Sequence, residues 1–409
     1  MHIRTLLIIA VVVLLFPITF SACHGTSSSP ISIGFLVART GEWASAAETY
    51  EATLDIASVD INHFLVSIKC PAKLNIVTED TQTDPAVALE KLELLHSRGI
   101  RFVIGPASSA EVAAIADYAS QSGILVVSYA STAPSLAESS GNVYRFALKD
   151  TYEAQRLARL INEDGIKTIV PLTRGDVWGD DYIEALSESY QASSGVVIQG
   201  VRYSPNTSDF SGILTELDTK VSQAITTYGQ GKVAVFLAAL DETSVILSQA
   251  ALMGSTLQSV GWYGTDGSAL NSGILDNAQA GQFAAATKFR CLMFAAGDYE
   301  ATRKLAAEVK TITGRDLDGY AAAIYDAAWL ITLSHLVAGD AASDTEALRA
   351  AFLSLTETYQ GLTGETSLDS NGDRKYGRYQ LWTVSIDGST ASWQKTDQFL
   401  LTPSGWWPD

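Results

Sequence analysis

The chain has 409 residues, of which 47% are hydrophobic and 18% charged, with a net charge of −18 and a pI near 4.6. That balance excludes a disordered chain, and the acidity excludes a nucleic-acid binder, which needs a basic stripe. The length exceeds one ordinary hydrophobic core, so two lobes are expected.

The N-terminus reads as a targeting segment. Arg4 supplies a short positive region, Leu6–Phe16 an apolar core, and Phe20-Ser21-Ala22-Cys23 a small-residue cleavage site. Cys at the first mature position is similar to a lipoprotein signal. On this reading residues 1–22 are removed, Cys23 is lipidated and residues 23–30 form a flexible tether. The alternative is an uncleaved anchor, although Pro17 leaves the apolar run short of the ~20 residues a span prefers. Both readings place the remainder outside the cytoplasm, and no later segment is read as crossing a membrane.

From residue 31 strands and helices alternate. Strand Ile31–Ala38 leads to helix Trp43–Phe64, and strand Leu74–Thr78 to helix Pro85–Ser97. The segment 101–134, RFVIGPASSAEVAAIADYASQSGILVVSYASTAP, repeats one design twice: an apolar run ends in small hydroxyl residues. A strand follows at Val143–Ala147. A second series runs through helix Thr151–Glu163, strand Thr168–Leu172, helix Trp178–Gln191, strand Val196–Tyr203, helix Asp209–Tyr228, strand Val233–Ala238, helix Glu242–Met253 and strand Val260–Tyr263. A strand at Phe289–Phe294 precedes helices near Tyr299–Thr313, Gly319–Val337 and Asp344–Leu355, and antiparallel segments at Tyr376–Ser385 and Ser392–Leu401 close the chain. Strands alternating with helices of this length predict α/β architecture with two doubly wound parallel sheets. Ligands of such sheets sit beyond the carboxyl ends of the strands. The free N–H groups and hydroxyls at the ends of Arg101–Ile104 and Ile124–Val127 suit an anionic group against a helix N-terminus.

Catalytic and cofactor signatures are missing. The chain has no G-x-x-x-x-G-K-[ST], G-x-G-x-x-G, G-x-S-x-G, H-E-x-x-H or C-x-x-C, and its five histidines stand apart. Neither an enzyme nor a cofactor or metal is therefore expected. Asp369-Ser370-Asn371-Gly372-Asp373 fails the calcium-loop pattern and reads as a solvated turn. Cys70 and Cys291 read as buried apolar residues rather than a disulfide.

Six segments carry a family resemblance in a fixed order. They are IGFLVARTGEWAS, EDTQTDPAVALEKL, DVWGDDYIEAL, YGTDG, YAAAIYDAAWLI and GETSLDSNGDRKYGRYQLWTV, joined by the spacing from Gly105 to Gly123 to Ser128–Pro134. Together they resemble the leucine/isoleucine/valine-binding-protein family of ABC-transporter receptors. The resemblance implies a type I periplasmic binding protein: two lobes joined by three crossings near Leu148, Ala296 and Lys375. Lobe I would be 31–147 plus 297–375, and lobe II 148–296 plus 376–409. It implies a lipid-anchored extracytoplasmic receptor that hands a small amino acid to an ABC permease. A ligand sensor of the same fold, or a receptor for short amides or aromatic acids, is the alternative.

The resemblance also assigns a site. Ser109 and Thr132 match residues whose hydroxyls meet a ligand carboxylate, with Ser108 one register away. The Thr132 N–H would meet the same carboxylate, and the Ala130 carbonyl the ligand ammonium. Trp178 matches an aromatic that covers the ligand from lobe II, and Asp266 the acid that faces the ammonium. Trp43 is a further candidate at the edge of lobe I. Read without the resemblance, Ser109 is an N-cap of a helix Ala110–Gln121, Trp43 a packing residue and Asp266 a turn acid before Gly.

Overall fold

A computed structural model describes residues 30–138, 141–254, 256–388 and 390–408. The expected leader, the lipidated Cys23 and the tether as far as residue 29 lie outside the described residues. The first series is β1 (Ile31–Val37), α1 (Ala47–Ser67), β2 (Leu74–Asp80), α2 (Pro85–Ser97), β3 (Phe102–Ile104), α3 (Ser109–Ser122), β4 (Leu125–Ser128) and β5 (Val143–Arg145). These strands form one parallel sheet in the order β2-β1-β3-β4-β5. Their residues are almost wholly buried at β3 and β4, as continuous apolar runs in a sheet covered on both faces should be.

The second series comprises α4 (Asp150–Glu163), β6 (Thr168–Arg174), α5 (Val177–Ala192), β7 (Val196–Val197), β8 (Val201–Tyr203), α6 (Ser211–Tyr228), β9 (Val233–Ala238), α7 (Thr243–Leu252), β10 (Gly261–Gly264), α8 (Ser272–Asp276), α9 (Ala278–Ala286) and β11 (Arg290–Ala295). The chain then makes α10 (Glu300–Thr313), α11 (Gly319–Ala338) and α12 (Thr345–Thr356), a short hairpin of β12 (Gln360–Gly361) and β13 (Gly364–Glu365), and a meander of β14 (Gly377–Asp387), β15 (Thr390–Thr402) and β16 (Gly405–Pro408). Strands β6 to β11 pair in parallel, and the meander continues the sheet antiparallel from β11. Helices α10 and α11 return to pack against α1, and α11 also contacts β1, β3 and β11. The fold is α/β with two doubly wound lobes.

Several local differences from the sequence pattern have identifiable causes. The expected strand at 196–203 is split, because Gly200 passes the Pro171 carbonyl so closely that a Cβ there would lie 2.2 Å from it. Pro171, inside β6, has no N–H for the ladder. Residues 272–286, to which the sequence reading assigns no element, form α8 and α9. The expected helix start at Trp43 moves to Ala47. Trp43 N–H donates to Thr83 Oγ1 at 3.0 Å and Ser45 N–H to Asp241 Oδ2 at 2.9 Å, so these amides are held outside a helix. The stretch Gly319–Ser343 is long and apolar enough by composition to cross a membrane, which the sequence reading does not assign, but most of it is buried inside the protein. Cys70 and Cys291 are buried and unpaired.

Candidate functional site

The two sheets present the carboxyl ends of their parallel strands to a shared cavity. Each lining residue stands just beyond a strand end. Trp43 follows β1, Ser108, Ser109 and Ala110 follow β3, and Ala130 and Thr132 follow β4. From the other lobe come Asp176 and Trp178 after β6, Leu240 after β9 and Asp266 after β10. The seven residues singled out in the sequence are thereby brought to one cavity, with Asp176, Ala110 and Leu240 added to them. This is the place where open α/β sheets bind ligands.

The hydroxyl residues of the first lobe have separate jobs. Ser108, not Ser109, is the N-cap of α3. Its Oγ accepts the Glu111 N–H, while the Glu111 carboxylate accepts the Ser108 N–H and hydroxyl. This capping box displaces the helix start by one residue from the sequence expectation, because Glu lies three residues after Ser108 and not after Ser109. Ser109 is thus freed to face β4: its Oγ accepts the N–H groups of Thr132 and Ala133, each at 3.2 Å, and sits 3.0 Å from Ser131 Oγ. The Thr132 amide, expected to meet a ligand, is given to Ser109 in this arrangement. Thr132 and Ala130 line the cavity wall, and the Thr132 hydroxyl bears on Asp150.

Trp178 sits in the first turn of α5, capped by Asp176, whose Oδ1 accepts the Gly179 N–H at 3.0 Å. Its ring meets Tyr182 edge-on at 6.3 Å between centroids and rests against Gly267, where a Cβ would lie 2.7 Å from Cη2. Gly267 therefore lets the indole lie directly beside Asp266. At the rim the lobes touch. Ser45 Oγ donates to Asp241 Oδ1 at 2.6 Å, and Arg174 pairs with Asp176 and Glu242 of its own lobe and with Glu42 of the other.

Asp266 is 5% exposed. Its carboxylate accepts the Gly267 N–H and the Tyr320 hydroxyl, and its own N–H donates to Glu153 Oε1 at 3.1 Å. Glu153 Oε1 also accepts the Tyr182 hydroxyl at 2.9 Å. Asp150, Glu153 and Asp266 place carboxylate oxygens within 4.8 Å of one another, so one cation could touch all three. Oε2 of Glu153 is buried without a hydrogen-bond partner, and both oxygens of Asp150 are buried with the Thr132 hydroxyl as the donor close enough to favour their charge. Burial pushes Asp266 up to about 6. Burial and the neighbouring Asp266 charge hold Asp150 and Glu153 well above the usual carboxylate range. The Thr132 hydroxyl and Arg145 only partly offset the shift at Asp150.

Asp150, Glu153 and Tyr320 are not among the site residues singled out in the sequence. The first two open α4, where acids are ordinary partners of the helix N-terminus. Tyr320 arrives from α11, and nothing local to it signals a ligand.

The model of the receptor family ligand binding region matches residues 56–387. An uncharacterized protein of Methanocaldococcus jannaschii is 28% identical over 387 residues, covering 90% of each chain. Among solved structures, a leucine binding protein from Thermotoga maritima superposes with a TM-score of 0.74 at 18% identity, covering 91% of this chain and 99% of its own. A solute binding protein of an ABC transporter from Rhodopseudomonas palustris, in complex with 3,4-dihydroxy benzoic acid, also gives 0.74, at 16% identity with 91% and 98% covered.

Proposed function

Because the chain belongs to the receptor family ligand binding region and has the type I periplasmic binding protein fold, we propose that it is the extracytoplasmic substrate-binding component of an ABC transporter. Its ligand is a small ammonium-bearing molecule, with a neutral amino acid as the first choice. The observation that carries this reading is the two-sided cavity. One wall offers hydroxyls and a carbonyl (Ser109, Thr132, Ala130), and the other a buried acid beside an indole (Asp266, Trp178). A carboxylate meets the first wall and an ammonium the second. Closure dries both contacts, and charge-assisted hydrogen bonds strengthen as water leaves. Ser108 supports the site by capping α3, and Trp43 closes it from lobe I.

Lobe I on this reading is 31–147 plus 297–375 and lobe II 148–296 plus 376–409. Hinge bending between them closes the cleft. Lipid on Cys23 would hold the receptor near its permease. Mass analysis of membrane-fraction protein should find residues 1–22 removed and acyl mass added, and retention of Met1 would contradict this.

An aromatic acid is the second reading, supported by the two indoles at the cavity and by the dihydroxybenzoate ligand of the Rhodopseudomonas protein. It leaves Asp266 without a partner. A thermal-shift screen of ligand-stripped protein against amino acids, amides and benzoates separates the two, since a ligand at ~100 Kd adds roughly 2.7 kcal/mol. Stabilisation by benzoates alone would replace the first reading with the second.

A further inference from the structure

We propose that the pocket selects ligands of net positive charge, a diamino acid or an amino-acid amide ahead of a neutral zwitterion, with Asp150 and Glu153 joining Asp266 in receiving the cationic nitrogens. The inference rests on the reading of this cavity as the ligand site and replaces the neutral amino acid named there with a cationic one. Its first support is the charge of the lining: Asp266 faces the cavity without a cation beside it, Asp176 is already paired with Arg174, and none of the lining residues is basic. The second is that Asp150 and Glu153, both 0% exposed and standing behind the cavity lining, bring carboxylate oxygens within 4.8 Å of Asp266, with Oε2 of Glu153 unpartnered and the Thr132 hydroxyl as the donor that bears on Asp150.

The groups facing this cluster supply little compensation. They are Tyr182 and Asp181 of α5, Tyr320 of α11, Tyr379 of β14, Cys291 of β11 and Arg145 of β5. Arg145 is the cation among them, and it is committed to Asp373 in a two-point pair at 2.6 and 2.8 Å and to the Ala133 carbonyl. Lys149, next to Asp150, turns away to Asp369 at 3.0 Å. Arg174 is spent on three other acids at the rim.

A buried carboxylate needs a proton or a cation. An entering ammonium offers three donors that can replace protons on the cluster, and the indoles of Trp43 and Trp178 stand at the same cavity. A ligand carboxylate finds only dipoles on the opposite wall. Each added positive charge on the ligand is therefore gain, and each negative charge is partly cost.

The test uses two matched pairs as probes, ornithine with norvaline and leucinamide with leucine, titrated by calorimetry into ligand-stripped protein at pH 7.5. The cationic member of each pair should bind at least tenfold tighter. Glu153→Gln should cut that preference about tenfold while changing the neutral member less than threefold, and Asp150→Asn serves if the first variant fails to fold. Repeating the ornithine titration in buffers of different ionisation enthalpy should reveal proton release by the wild type. Equal or tighter binding of the neutral members overturns the charge selection while leaving the amino-acid site intact. Failure of all four probes overturns both. Tight binding of calcium alone that excludes ornithine would make the cluster a metal site and overturn the proposal.

Discussion

Tyr320 donates its hydroxyl to the Asp266 carboxylate, joining the first turn of α11 to the end of β10 beside the cavity. The phenol is fixed in place. Asp318 caps α11 through the Ala321 N–H at 2.7 Å, Phe294 stacks on the ring at 6.2 Å, and Trp43 meets it edge-on at 6.1 Å. Burial raises Asp266 to about 6, and the Tyr320 bond opposes that rise. Tyr320→Phe should therefore push Asp266 higher still. Ammonium binding should weaken by about 1.5–3 kcal/mol, the range for a hydrogen bond to a charged group, and the pH midpoint of binding should move upward. Calorimetric titrations between pH 5 and 8 check this, and an unchanged pH profile would mean that Tyr320 only packs.

Asp266 should also cost the empty protein stability. Its carboxyl titrates near 3.9 in the unfolded chain and at about 6 in the fold, so ionisation is disfavoured by folding. The penalty is absent below pH 4, grows as pH rises from about 4 to about 6 and is constant above. At 1.36 kcal/mol per unit it reaches roughly 3 kcal/mol. Asp266→Asn should then stabilise ligand-free protein at pH 7 by up to about 2–3 kcal/mol, with the gain vanishing near pH 4. The same variant should lose about 2–4 kcal/mol of affinity for an ammonium ligand, given a Coulomb attraction of ~4 kcal/mol at ~4 Å and an effective dielectric of ~20. Thermal melts at pH 4 and pH 7, paired with calorimetry, read both effects. A less stable variant at pH 7 would show that the carboxylate is needed for folding.

Most of the cavity wall was legible through the family resemblance, which points to residues standing where apolar runs stop. Ser109, Ala130, Thr132, Trp178 and Asp266 follow strands that the pattern marks clearly. Asp150 and Glu153 were not, because Asp150-Thr151-Tyr152-Glu153 reads as an ordinary helix start. Only the return of the chain, 113 positions after Glu153, closes Asp266 over them. The start of α1 and the cap of α3 were misplaced for a related reason. Trp43 and Ser45 give their amides to Thr83 and Asp241 from distant segments, whereas the Ser108–Glu111 box was local and could have been found.

The rim contacts hold the lobes together. Asp241 takes both the Ser45 amide and its hydroxyl, and Glu42 reaches Arg174 beside them. Asp241→Ala removes two inter-lobe hydrogen bonds at a partly buried position. The ligand-free protein should shift toward an open form, seen as a larger radius of gyration in solution scattering. Affinity should fall about threefold to tenfold, since part of the binding energy is then spent on closure. An unchanged radius together with unchanged affinity would remove these contacts from the closing step.

The adjacent serines and Thr132 separate support from contact. Ser108→Ala deletes the capping box, so stability should fall by about 0.5–2 kcal/mol while ligand affinity changes little. Ser109→Ala leaves the Thr132 and Ala133 amides without their acceptor in a buried loop. It should lower stability and affinity together, by about 1–3 kcal/mol for an unsatisfied buried group. Thr132→Ala removes a hydroxyl that bears on the buried Asp150 carboxylate, while Ser109 and Asp150 still hold its backbone. Stability should fall by less than affinity, which for a carboxylate-bearing ligand should drop by about 1–3 kcal/mol and for the matching amide by less. Melting curves and calorimetry on the three variants give a two-by-three comparison in which each serine and the threonine has a different signature. Destabilisation by Thr132→Ala with affinity preserved would assign that hydroxyl to the fold, and the carboxylate would then need another wall of the cavity.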